Sequence, residues 1–202
     1  MTIHDEREFT GRLEAARVRE LLRQYLPEPP ARVADIGGGQ EIHSPGLRAD
    51  GYDVRMLGPH PREAQDEEFD AAFLPGLMYL LANAADRRAA LQEAVRVTRY
   101  GGFVAAVAIN RTAARSARTA YHSVAQLRSE LMGAGLRAVE IHGLSGPGDW
   151  LSVMVDSHYS GLSLPDSDPA PLQAALECAR LGDWRPDLVQ SSPLLLGVGQ
   201  RD

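Results

Sequence analysis

The segment Arg32-Val33-Ala34-Asp35-Ile36-Gly37-Gly38-Gly39 constrains the fold of this chain more than any other stretch. A short apolar run that ends in three glycines reads as a buried strand entering a tight turn, where backbone can approach a ligand closely. Asp35 is placed to bind an ammonium group. By itself such a turn serves a β–α connection without a ligand equally well. The rest of the chain continues the alternation. Leu13, Ala16, Val18, Leu21, Leu22 and Tyr25 follow helical spacing over 10–26, and Pro27, Pro29 and Pro30 stop that helix. A short helix closes over 47–51, and Tyr52 to Leu57 alternates like a strand. Phe69 to Leu74 reads as a buried strand, Ala85 to Arg99 as an amphipathic helix ended by Gly101-Gly102, and Phe103 to Ile109 as the most apolar strand. Asn110 to Tyr121 carries no hydrophobic pattern and reads as a loop or lid. Ser123 is a helix N-cap, Leu136 to His142 a strand, 171–181 a helix and Leu194 to Val198 a final strand. Strands alternating with helices imply a mostly parallel sheet with helices on both faces and a late strand inserted antiparallel.

Composition narrows the chemistry. The 202 residues suit one domain: an N-terminal helix (1–30), a core (31–142) and a C-terminal helix and strand (143–202). A net charge of −6 argues against nucleic acid or an anionic membrane as partner. Every basic residue is Arg, so a P-loop lysine and a Schiff-base lysine are excluded. The single Cys178 forbids an intrachain disulfide and is expected to be a small buried hydrophobe. The polar start and the lack of a long apolar run lead to the expectation of a cytoplasmic protein. No metal is expected, because the histidines lack ligand spacing. Arg-only basicity and abundant alanine point to a high-GC bacterial source.

The order of these segments resembles class I S-adenosylmethionine (AdoMet) methyltransferases. Residues 32–39 are similar to motif I, Gly51-Tyr52-Asp53-Val54 to the second strand and Phe69-Asp70-Ala71-Ala72-Phe73-Leu74 to the fourth. Glu93 to Gly102 resembles the segment leading into strand five, Leu127 to Leu136 the helix before strand six, and Gly143 to Trp150 the loop after it. The resemblance implies a Rossmann-like sheet of the seven-stranded type. It also implies an AdoMet pocket formed by Asp35, Gly37, Gly38, Gly39 and the position of Glu41.

Four departures fall where the family touches its ligands. Glu41 replaces the third motif glycine, bringing a like charge toward the methionine carboxylate unless it turns into solvent. Like charges about 4 Å apart repel by several kcal/mol at the effective dielectric of a partly buried site. Gly58 replaces the acid that holds the ribose hydroxyls, a loss worth about 1.5–3 kcal/mol. Only 58–68 separates the second strand from the next, too short for a helix and a third strand, so that strand is expected to be missing. Leu80 stands where the family often has His.

The residues left to act are Tyr79, as a hydrogen-bond donor, and His122, as an acid or base at the mouth of the sheet. His43, Asn110, Arg111, Tyr121 and Trp150 are the expected substrate-pocket residues. Three functions follow. One is a non-methylating derivative, either a cyclase- or isomerase-type catalyst or a binding protein, acting on a small molecule of specialised metabolism. Another is an active O- or N-methyltransferase. The third is a regulatory subunit that forms a homodimer through the bared sheet edge.

Overall fold

The computed structural model describes residues 3–37, 42–113, 120–146 and 170–202. Among these residues six strands form one sheet: β1 (Arg32–Ile36), β2 (Asp53–Leu57), β3 (Phe69–Leu74), β4 (Thr98–Ile109), β5 (Leu136–Gly143) and β6 (Leu194–Arg201). Their spatial order is β2-β1-β3-β4-β6-β5. The first four run parallel, and β6 is antiparallel to both β4 and β5. In β1, Val33, Ala34, Asp35 and Ile36 are all buried, as expected of a parallel strand covered on both faces.

The helices are α1 (Ile3–Leu22), α2 (Ser44–Ala49), α3 (Leu77–Leu80), α4 (Ala84–Val97), α5 (Val124–Gly133) and α6 (Ala170–Trp184). Val18, Leu21 and Leu22 of α1 and Leu47 of α2 pack with Val33 and Phe73 on one face of the sheet. Leu91 and Ala94 of α4 and Leu127 and Leu131 of α5 pack with Ala34 and Ile36 on the other. Helix α6 lies on α1 through Leu13, Ala175 and Leu176. The fully buried Arg17 ties the two helices, its Nη2 donating to Asp183 at 2.5 Å.

Between β2 and β3 the chain makes turns only, so β2 is the edge strand and the expected loss of a third strand is what the sheet shows. Arg96 of α4 fastens this link by donating to the carbonyls of Pro61 and Ala64, both at 3.0 Å. Ala64 is buried within the α4 side of the core. One arginine and one small apolar residue thus hold this short, helix-free crossover against α4.

Several boundaries differ from the sequence reading. Helix α1 starts earlier and ends at Leu22, leaving Tyr25 in a turn, and β6 runs on to Arg201. Gly101-Gly102 does not end α4. The helix stops at Val97, and Thr98 is its cap, with Oγ1 donating to the Ala94 carbonyl at 2.7 Å. The glycines instead form a bulge in β4, where the register passes from Phe69↔Thr98 to Ala71↔Phe103. The four-residue α3 was not visible in the pattern because so short a helix shows no period. Cys178 is only half-buried. Burial and the charge of Glu177 push its thiol up, which keeps thiolate scarce.

Ser123 caps α5 with a reciprocal pair: its hydroxyl accepts from Gln126 N at 3.2 Å, and Gln126 Oε1 accepts from Ser123 N at 3.0 Å. Ser123→Ala is expected to lower unfolding free energy by about 1 kcal/mol in urea titration, with unchanged slope.

Candidate ligand site at the carboxyl edge of the sheet

Ligands of open parallel sheets bind outside the carboxyl ends of the strands. Here that edge carries Ile36-Gly37, Leu74 with α3 behind it, and Ile109-Asn110. Of the expected cofactor residues, Gly38, Gly39 and Glu41 lie outside the described residues, as do Trp150 and residues 114–119 of the expected lid. The two that are described have been put to other uses. The Asp35 carboxylate is buried and accepts from Ser44 Oγ at 2.5 Å. Gly37 has φ +71 and donates its N–H to the Leu57 carbonyl at 2.8 Å. The open side of Gly37 is filled: a Cβ built there would meet three Leu77 side-chain carbons at 2.5–2.8 Å. Leu77 comes from α3, and it is itself buried.

On the α1/α2 face of the same edge stands a polar group. His43, 7% exposed, lies edge-on to the Phe73 ring, with centroids 5.1 Å apart and planes at 89°. Its Nε2 is 3.5 Å from Glu14 Oε1 of α1, and its Nδ1 is buried without a hydrogen-bond partner. Tyr79 packs against the core on this face. Burial and then the Glu14 charge push its phenol up, so it is a neutral donor at physiological pH. Its carbonyl accepts from Ala120 N at 3.1 Å, which fixes the return of the chain after 114–119.

His122 is not at an open mouth. It is 1% exposed, bridged to Asn110 at the end of β4, with its N–H donating to the Ile109 carbonyl at 2.9 Å. Its ring turns to the α5 side, Nε2 lying 3.4 Å from Glu130 Oε2. Glu130 also accepts both Arg87 Nε at 3.0 Å and Arg87 Nη2 at 2.7 Å. Burial would raise the Glu130 carboxyl, but His122 and Arg87 hold it down at about 2. The ring is drawn inward by that carboxylate. His122 and Tyr79, expected together, thus go to opposite faces of the sheet.

Asn110 is likewise committed to structure, its Nδ2 donating to the carbonyls of Gln190 at 2.9 Å and Ser192 at 2.8 Å. This ties β4 to the turn before β6. Arg111 is exposed and donates to Gln126 at 2.8 Å. Both residues line an open groove of about 960 Å³ beside α5 with Arg128, Met132 and Gln190. Tyr121 is half-buried, one residue before His122. Sequence reasoning missed Glu14, Leu77, Arg87 and Glu130. Each acts on a partner far along the chain, which no local pattern marks.

No protein-family model matches the sequence, and no curated protein matches it. Solved structures do resemble it. A SAM-dependent methyltransferase from Thermotoga maritima superposes with a TM-score of 0.60 at 17% identity, covering 98% of this chain and 94% of the other. A SAM-dependent methyltransferase from Archaeoglobus fulgidus gives 0.61 at 13% identity, over 93% and 92% of the two chains. The fold is that of a class I AdoMet methyltransferase. The same methyltransferase fold brings in the [4+2]-cyclase SpnF, with a TM-score of 0.54 at 14% identity, covering 92% of this chain and 80% of the cyclase. Against the seven-stranded sheet that the sequence resemblance implies, this version of the methyltransferase fold lacks the third strand. Among the described residues no three His, Cys, Asp or Glu side chains group as a metal would need, and no helix is long and apolar enough to cross a membrane.

Proposed function

We propose that this methyltransferase-fold protein does not methylate, and that it acts on or binds a small molecule at the carboxyl edge of its sheet. The packing of Leu77 onto Gly37 carries the reading. A glycine in this turn serves AdoMet by letting it come close, and here an aliphatic side chain occupies the approach. AdoMet does not fit the described residues in the way the resemblance implies. The Asp35 carboxylate is engaged by Ser44, no acid stands at Gly58, and residues 58–68 supply no third strand for an adenine wall. Each missing charged partner weakens a ligand by roughly tenfold or more. The likeness to a [4+2]-cyclase supports a cyclase- or isomerase-type reaction in place of group transfer, since this fold hosts such chemistry in that protein. Acting in the cytoplasm of a bacterium, the protein would take a product of specialised metabolism as its ligand.

Calorimetry with AdoMet and S-adenosylhomocysteine tests the reading. No saturable heat is expected with ligand up to about 1 mM, the weak limit of ordinary recognition. A dissociation constant in the low micromolar range, with the nucleoside ordered against β1 and β2, would overturn it in favour of an active O- or N-methyltransferase.

A further inference from the structure

We infer that Glu14 and His43 form the proton-accepting centre of this site, Nδ1 of His43 taking the acidic proton of a small-molecule hydroxyl or N–H. The inference rests on the proposed reading only in placing a small molecule at the carboxyl edge.

A neutral imidazole has one N–H and one lone pair, and its neighbours decide which nitrogen holds which. Glu14 is an acceptor, 3.5 Å from Nε2, so the N–H belongs on Nε2 and the lone pair on Nδ1. That lone pair is shut off from water and meets no donor among the described residues. The nearest hydroxyl in sequence, Ser44, is turned to Asp35 instead. The Phe73 ring fixes the plane of the imidazole, and α2 fixes its position, since His43 is the N-cap residue yet makes no side-chain capping bond. A capping role therefore does not explain the residue. A carboxylate that orients an imidazole, whose far nitrogen faces the reacting group, is the arrangement that base catalysis uses on unrelated folds.

The proton transfer balances simply. The ligand O–H or N–H bond breaks, its electron pair stays on the ligand atom, and the proton forms an N–H bond at Nδ1. The imidazolium so formed lies beside the Glu14 carboxylate, which offsets its charge. The phenol of Tyr79, pushed up by burial and by the same Glu14 charge, supplies a neutral hydroxyl to orient the ligand. The Glu14–Nε2 separation is long for a hydrogen bond and is expected to shorten when a ligand binds.

The test uses the full chain labelled with nitrogen-15 at its 6 histidines and 4-nitrophenol as the probe. His43→Gln assigns the resonance. The expected result is a His43 Nδ1 signal at the unprotonated position that moves to the protonated one as the phenol saturates. The bound probe should also gain phenolate absorbance. Affinity should fall at least about tenfold in both His43→Gln and Glu14→Gln. Glu14→Gln keeps the ring and should leave the free protein with mixed tautomers, a readout that mere packing would not produce. Failure of the phenol to saturate, an unmoved His43 signal at saturation, or equal affinity in His43→Gln overturns the inference. If AdoMet binds at low micromolar concentration while the phenol still moves His43, the proposed function fails and this inference stands.

Discussion

Glu130→Ala is expected to destabilise the protein by about 3 kcal/mol, the lower end of the range for breaking a buried ion pair. The carboxylate is 25% exposed, which moderates the loss, but its partners are not open to water. Arg87 is buried and its Nη1 is already committed to the carbonyls of Leu81 and Ala82, both at 3.0 Å. Without Glu130 its charge keeps backbone dipoles alone among the described residues, and the buried His122 loses the carboxylate beside it. The midpoint of urea unfolding should drop with little change in slope. Replacing Arg87 and Glu130 together by Met and Leu should recover part of the loss, because no charge is then stranded. A single-variant loss under about 1 kcal/mol would mean that the network behaves as a solvated surface pair. The same carboxylate sets an acid limb. Its folded value of about 2 lies below the 4.5 of an unperturbed glutamate, so its stabilisation is complete above pH 4.5 and disappears as pH falls toward 2. Wild-type stability should therefore fall by about 1–2 kcal/mol more than that of Glu130→Gln over this window, after allowing for partial exposure.

Gly102→Ala is expected to cost about 3 kcal/mol, the upper end of ordinary overpacking. The added methyl would lie 2.4 Å from the Asp70 carbonyl oxygen and 2.9 Å from that of Arg99. Both are backbone atoms, one in β3 and one in the bulge of β4, so no side-chain rotation can relieve the contact. The bulge must open, and the parallel β3–β4 pairing that carries α3 and Leu77 to the carboxyl edge opens with it. Gly133→Ala at the end of α5 is the control: nothing lies within 4 Å of the new methyl, and the change should be neutral or stabilising by up to about 1 kcal/mol. Equal thermal midpoints for the two variants would show that the β3–β4 bulge tolerates a side chain.

Much of the molecule was legible in the chain itself, because the signals were local. The apolar run at Val33–Ile36, the proline stop at 27–30, the cap at Ser123 and the short span of 58–68 each act within a few residues, where strand period, fixed φ and chain length decide the outcome. Together they determined the parallel sheet, its late antiparallel strand and the missing third strand. Element ends were less legible. Gly101-Gly102 looks like a helix stop, yet Asp70 across the sheet decides that it is a bulge.

The candidate site belongs to tertiary structure almost entirely. Leu77 covers Gly37, Glu14 reaches His43, and Arg87 meets Glu130, pairs separated by dozens of residues whose side chains carry no period or spacing that announces a partner. The sequence by itself determined which residue types stand near the carboxyl edge. Only the packed sheet decided which of them face a ligand, because burial and charge pairing depend on which elements the fold lays side by side.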